Sequence, residues 1–368
     1  MQKTHFDIAI VGGGIMGLAT LYHIATRTDL SVALFEQGRL GGGSTHKSGG
    51  FVRAFHANPQ EIEWSVQTLR FLRQYQSETA FNPIGCFYLA DGIDSNAVGQ
   101  ALETMTQLGE KVDACSEQEI VTYLPQLQHQ ARKTVIHEPN AGFADPLKTS
   151  LLYAELAKQA GATIFECAQI TDIEQTHIEQ NDIAADSPLT LHINGSETPI
   201  TAKAVSINLG AWSPEFLHKL GLPSDVFKKG IQADTYLVNE EDFPPFCVLD
   251  YQTDIYTRPF GHQQQLIGIA TQKFDVDLHH HHQSDPAQQA ACLTQLNTLM
   301  NPQQDKPVAL GGRIGFDGYS KDFRGKIYLS KAIPNLCISE GWSGAGFKMA
   351  HGAGEHTMKT LLSAISAI

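Results

Sequence analysis

The chain has 368 residues, 42% of them hydrophobic and 18% charged, with a formal net charge of -13. That balance is ordinary for a soluble globular protein, while the acidic excess disfavours nonspecific nucleic-acid binding and gives no support for docking on an anionic membrane. The length predicts about two domains rather than one simple core, and no apolar run approaches the roughly 18 residues that a bilayer span needs. Six cysteines (Cys86, Cys115, Cys167, Cys247, Cys292 and Cys337) are scattered without a C-x-x-C pair. Buried free thiols are therefore expected, rather than disulfides or a zinc site.

The first informative stretch is Phe6 to Glu36. An apolar run, Ile8-Ala9-Ile10-Val11, leads into Gly12-Gly13-Gly14-Ile15-Met16-Gly17, then a helical segment, then Val32-Ala33-Leu34-Phe35 and Glu36. Glycine permits a tight turn at Gly12, close backbone approach at Gly14 and close helix–strand contact at Gly17. The helix start offers free N–H groups to a pyrophosphate, and Glu36 stands where a carboxylate accepts from a ribose diol. The stretch predicts dinucleotide binding, and the acid argues for FAD or NAD over NADP. Because a nucleotide-binding strand begins almost at the first residue, no cleavable signal is expected and the cytoplasm is the expected location.

Next comes Gly41-Gly42-Gly43-Ser44-Thr45-His46-Lys47-Ser48-Gly49-Gly50. Alone it reads as a surface turn; after the acid of a nucleotide fold it reads as a second cofactor loop with backbone N–H and hydroxyl donors. Arg53 follows between apolar neighbours, as either a snorkelling surface residue or an inward anion ligand. Apolar spacing predicts a helix over 61–75, broken by Asn82-Pro83-Ile84-Gly85, then a strand over 86–89. Helices are expected at about 95–108 and 117–123. Gly142-Phe143-Ala144-Asp145-Pro146 returns the chain to a helix over 147–160, and strands follow at 163–165 and 170–173. The polar stretch 182–199 resembles a hairpin decoration.

Ala204-Val205-Ser206-Ile207-Asn208-Leu209-Gly210-Ala211-Trp212 reads as a buried parallel strand whose carboxyl end faces a ligand crevice. Residues 221–305 read as a β-rich block, with strands at 233–238, 247–249, 254–257 and 265–271. Four adjacent histidines, 279–282, cannot converge on one ion from a regular element, so a solvated loop is expected rather than a metal site. Finally, Leu336-Cys337-Ile338-Ser339 predicts a strand, and Glu340-Gly341-Trp342-Ser343-Gly344-Ala345-Gly346 turns into a helix over 347–364. A second glycine-rich helix start, at the far end of the chain, points to a large cofactor lying between the two.

With these motifs in order, the chain resembles the FAD-dependent amine and amino-acid oxidoreductases, the D-amino-acid oxidase / glycine oxidase / sarcosine oxidase group. The resemblance runs through 10–17, 35–38, 43–53, 142–146, 208–212 and 341–348, and is closest to the monomeric sarcosine oxidase branch. It implies a mixed α/β (α+β) fold: a Rossmann-type FAD-binding domain from 1–80, 142–215 and 310–368, and a substrate domain from 81–141 and 216–309 built on an antiparallel sheet. It implies cofactor contacts at Gly12, Gly14, Ile15, Met16, Gly17, Glu36, Gln37, Ser44, Thr45, Ser48, Gly49, Gly50, Ile170, Gly210, Trp212, Gly344, Gly346, Phe347 and Lys348. Ile170 would meet the adenine through its backbone, and Gly344 to Lys348 would border the flavin ring.

The same branch implies that Arg53 and Lys348 hold a substrate carboxylate by charge-assisted hydrogen bonds. A lysine in the first turn of a helix opposes the helix dipole, which fits a ligand role better than a solvated one. Several family positions differ. The covalent flavin cysteine falls near Gly315, so noncovalent FAD is expected. The oxygen-reactive lysine falls near Leu266, its neighbouring histidine near Ala270, and the histidine of the S-G-H-G turn is Ala345. The arginine of the G-L-R-P segment corresponds to Arg313, without the proline. The expected function is oxidation of the C–N bond of an amino acid or N-alkyl amino acid, with oxygen or another electron acceptor. The alternatives are 2-hydroxy-acid oxidation, with His46, His56 or His351 as base, or a flavoprotein that modifies or stabilises a partner polypeptide. A NAD dehydrogenase is disfavoured by the C-terminal motif. Substrate selectivity would rest on which of Tyr236, Tyr251, Tyr256, Phe260 and Trp342 line the pocket.

Overall fold

A computed structural model describes residues 3–127, 134–175, 187–278, 283–300 and 306–366. The histidine run 279–282 lies outside the described residues. Two eight-stranded sheets organise the chain. In the first, Leu336–Glu340, Ile200–Ile207, His5–Val11, Val32–Phe35 and Thr163–Phe165 run parallel in that order, with Lys326–Leu329 antiparallel at one edge. Near-continuous burial of Ile8 to Val11 and of Val32 to Phe35 is what a strand covered on both faces requires. The hairpin Ile170–Gln175 with Leu189–Ile193 hangs from the start of Ile200–Ile207.

On one face of this sheet the helix Ile15–Arg27 packs between Pro146–Gln159 and the C-terminal helix Gly346–Ser366, which also packs on Pro59–Gln74. Asn58 and Asp145 cap two of these helices by accepting from backbone N–H groups of the first turn, and each is followed by proline at the first helical position. The expected helices therefore form, within two residues of their predicted starts.

The second sheet runs Val308–Tyr319, Phe227–Leu237, Gln264–Gly268, Tyr256–Pro259, Cys247–Asp250, Cys86–Leu89, Val135–Glu138, Asp113–Ala114. It is antiparallel apart from one parallel pair, Cys247–Asp250 with Cys86–Leu89. Two features depart from the sequence reading. The block 221–305 also contains a helix, Pro286–Leu299, which buries Cys292, Leu296 and Leu299 behind the sheet. The strand Val308–Tyr319 pairs along the whole of Phe227–Leu237, so residue 310 falls inside the second sheet rather than at a return to the first. All six cysteines are free. Among the described residues, no helix is long and apolar enough to cross a membrane, and no cluster of His, Cys, Asp and Glu could hold a metal.

Candidate active site

The site begins at the carboxyl end of His5–Val11. Gly12 has φ +107°, and a Cβ there would meet the Asn208 carbonyl oxygen at 2.4 Å; only glycine fits this left-handed turn. A Cβ on Gly17 would lie 2.0 Å from the Gly12 oxygen, so Gly17 sets how closely the helix sits on its strand. Gly14 differs: its nearest neighbour would be Thr45 Oγ1 at 3.5 Å, leaving the backbone open to a ligand. No side chain caps Gly14 at the helix start, and Ile15 N–H donates to Thr45 Oγ1 at 3.1 Å. Glu36 accepts from Gly13 N at 2.7 Å and Gly38 N at 2.8 Å, which fixes its carboxylate at the strand end.

One elongated cavity of about 1140 Å³ runs from this turn to the second sheet. It exceeds the roughly 300–1,000 Å³ of a small-ligand pocket, as a dinucleotide plus a substrate requires. Gly12, Gly14, Ile15, Met16, Glu36, Gln37, Ser44, Thr45, Ser48, Gly49, Ile170, Gly210, Trp212, Gly344, Gly346, Phe347 and Lys348 line it, as does Arg53. Gly17 and Gly50 are absent from its walls. Gly50 has φ +71°, and a Cβ there would lie 2.3 Å from the Ala144 oxygen. Both glycines shape the backbone behind the wall.

Arg53 is carried by Phe51–Val52, which pairs with Gly142–Phe143. The loop is fixed twice more: Ala144 N–H donates to the Gly50 oxygen, and the buried Glu138 accepts from Ala54 N and Phe55 N, both at 2.8 Å. Arg53 Nη1 donates to the Phe55 oxygen at 2.5 Å, and the guanidinium lies 4.8 Å from the Tyr88 ring centroid. Its Nε has no hydrogen-bond partner among the described residues. Lys348, 8% exposed, enters from the first turn of the C-terminal helix and donates to the Gly344 oxygen at 3.1 Å. Burial, aided by the Arg53 charge, lowers the Lys348 ammonium to about 7. Two cations thus converge on one cavity wall with an unpaired donor, Arg53 Nε, that an anion's acceptor oxygens would satisfy.

Of the aromatic selectivity candidates, Tyr256 and Trp342 line the cavity. Tyr236 is fully buried in the core behind the second sheet, Tyr251 is 59% exposed, and Phe260 packs under the guanidinium groups of Arg258 and Arg313. None of His46, His56 and His351 lines it. His351 instead stacks against Phe71 and shares a hydrogen bond with Tyr153. The cavity also takes in Lys47, from the second glycine loop, and Asp254, Phe316, Asp317 and Tyr319, which no motif marks. Ser44 Oγ donates to the Phe316 oxygen, joining the cofactor loop to the second sheet.

The parallel sheet, glycine turn, terminal acid and long cavity define a dinucleotide-binding protein whose reaction chamber is walled by a second sheet. Residues 7–360 match the FAD dependent oxidoreductase family, and the chain belongs to it. A monomeric sarcosine oxidase of Bacillus sp. (strain B-0618) is 26% identical over 373 residues, covering 96% of this chain and 91% of that protein. In fold, the chain is similar to glycine oxidase from Geobacillus kaustophilus, with a TM-score of 0.78, 19% identity, and coverage of 98% and 95%. It is also similar to L-proline dehydrogenase from P. horikoshii, with a TM-score of 0.83, 18% identity, and coverage of 98% and 94%. FAD fits the residues present: an open glycine face at Gly14, a helix start whose N-cap glycine carries no side chain, a fixed carboxylate at Glu36, and a cavity long enough to reach the second glycine turn.

Proposed function

We propose that the protein oxidises the C–N bond of an amino acid or N-alkyl amino acid with noncovalently held FAD. Bound FAD supplies the hydride-accepting chemistry. The Gly12–Gly17 turn would hold the pyrophosphate, Glu36 the ribose, Ile170 the adenine end, and Ser44, Thr45 and Ser48 the phosphate region. Gly344 to Lys348 would border the ring, and the cofactor segments of the chain would be 1–80, 142–215 and the part beyond the strand Val308–Tyr319. Noncovalent attachment is supported by the lining, in which no cysteine occurs among the described residues.

The observation that carries this reading is the convergence of Arg53 and Lys348 on the cavity beside the Gly344 turn. Paired cations fix a carboxylate and orient the adjacent Cα–H, which converts binding energy into alignment. Hydroxy-acid oxidation would need a base, and none of the three candidate histidines lines the cavity. An electron acceptor other than oxygen is favoured because the position expected for an oxygen-reactive lysine is Leu266, fully buried. Anaerobic flavin bleaching with a panel of amino acids and N-methyl amino acids tests the reaction, and artificial acceptors against oxygen test the second half. Failure of every amine to bleach the flavin would overturn the proposal.

A further inference from the structure

The cavity holds a carboxylate that the reading above does not use. Asp317 lies near the end of Val308–Tyr319, two residues beyond Gly315, and both line the cavity. Its Oδ2 would be 3.6 Å from a Cβ built on Gly344, the residue whose carbonyl accepts from Lys348 Nζ. Asp317 and Lys348 therefore flank the same glycine, and each feels the other's charge. Among the described residues Asp317 accepts no hydrogen bond and makes no ion pair.

Its cross-strand neighbour does not satisfy it. Lys229 is the register partner of Asp317, but its ammonium lies over the Tyr319 ring, 4.7 Å from the centroid, and over Phe274 at 5.4 Å. Asp317 is half-buried and opens onto the cavity; a carboxylate partly removed from water without a partner is costly, and burial accordingly raises it to about 6. Between that pH and about 7, where Lys348 keeps its proton, the wall presents a negative charge next to the two cations. A ligand matching this pattern carries a carboxylate and, a short distance away, a positive charge.

We propose that Asp317 is the specificity-determining counter-charge for the substrate nitrogen, so that the site binds the amino acid as a zwitterion: carboxylate on Arg53 and Lys348, cationic amine on Asp317. This rests on the amino-acid reading above and adds the group that separates amines from plain carboxylic acids. Hydroxy acids and fatty acids, which satisfy the two cations alone, are then discriminated against by the Asp317 charge. Asp317 acts here by positioning the ligand.

The test uses two unreactive ligands of the same shape, N,N,N-trimethylglycine and 3,3-dimethylbutanoate, which differ by one positive charge. Their binding to the flavin-loaded protein at pH 6.5 is followed by calorimetry and by perturbation of the flavin spectrum. The expected result is that the charged ligand binds about tenfold or more tightly, about 1.4 kcal/mol, and that Asp317→Asn abolishes the difference while retaining flavin. Equal or better binding of 3,3-dimethylbutanoate to the unmodified protein overturns the inference whether or not the variant folds. So does an Asp317→Asn protein that loses flavin but keeps the ligand preference, because the carboxylate would then serve the cofactor. If neither ligand binds and no amine bleaches the flavin, the carboxylate reading of Arg53 and Lys348 has failed. If amines bleach the flavin but ligand charge has no effect, the inference on Asp317 alone has failed.

Discussion

Replacing Lys348 by methionine removes one charge and keeps the reach of the side chain. Lys348 is 8% exposed, and burial lowers its ammonium from the ordinary 10.5 to about 7. At about 1.36 kcal/mol per pH unit, carrying that charge in the folded state costs up to about 5 kcal/mol relative to the unfolded chain. The unfolded lysine keeps its proton up to pH 10.5, whereas the folded one keeps it only to about 7. The unfolded state therefore binds more protons between those values, and this group makes stability rise with pH across that window. Lys348→Met removes the cost, so the variant should be more stable than the parent at pH 6, by a few kcal/mol, with the gap closing near pH 10. The same change deletes one charge-assisted hydrogen bond to a substrate carboxylate, about 1.5–3 kcal/mol. That lowers kcat/KM by about 10- to 150-fold. Urea unfolding at the two pH values and steady-state kinetics on the best amine substrate measure both effects. A variant less stable at pH 6, or one with unchanged kcat/KM, would refute the assignment of Lys348 as a buried carboxylate ligand.

Gly17→Ala should destabilise the protein by about 3 kcal/mol or more, because its Cβ would collide with the Gly12 oxygen at 2.0 Å; thermal unfolding checks this. Gly14→Ala has room, with its nearest contact at 3.5 Å, and should keep its melting temperature within a few degrees while losing flavin affinity, measured by titrating FAD into stripped protein. Arg258→Leu should cost about 2–4 kcal/mol and loosen the cofactor loop. The buried guanidinium donates to the Gly49 and Pro259 oxygens, both at 2.7 Å, and lies 4.1 Å from the Phe143 centroid. Faster flavin release together with a lower unfolding midpoint would confirm the link, and unchanged flavin retention would break it.

The parts of the fold visible beforehand are those governed by neighbours in sequence. The glycine turn at Gly12, the helix that follows Asp145-Pro146, and the strand Cys86–Leu89 each follow from a local backbone requirement or a short periodicity. The helix Pro286–Leu299 carried a readable start, Asp285-Pro286, but its sparse apolar positions hid it inside a β-rich block. The strand Val308–Tyr319 is rich in glycine and exposed over its first half, so no hydrophobic alternation marked where it pairs.

The site divides in the same way. Most of the residues marked by motif and resemblance line the cavity, but those signals did not separate the cavity-lining Gly14 from Gly17 and Gly50, which stand behind the wall. That difference depends on what stands within a few ångströms of an absent Cβ. By itself, the sequence determined a dinucleotide turn and a second glycine turn, because turn geometry and helix starts are properties of adjacent residues; the two candidate cations came from the family resemblance. Only the tertiary structure decided that Arg53, Lys348 and Asp317 face one cavity, that Tyr256 and Trp342 line it while Tyr236 does not, and that Lys348 sits near neutrality. Charge separation and desolvation depend on distances between residues far apart in the chain, and only folding sets those distances.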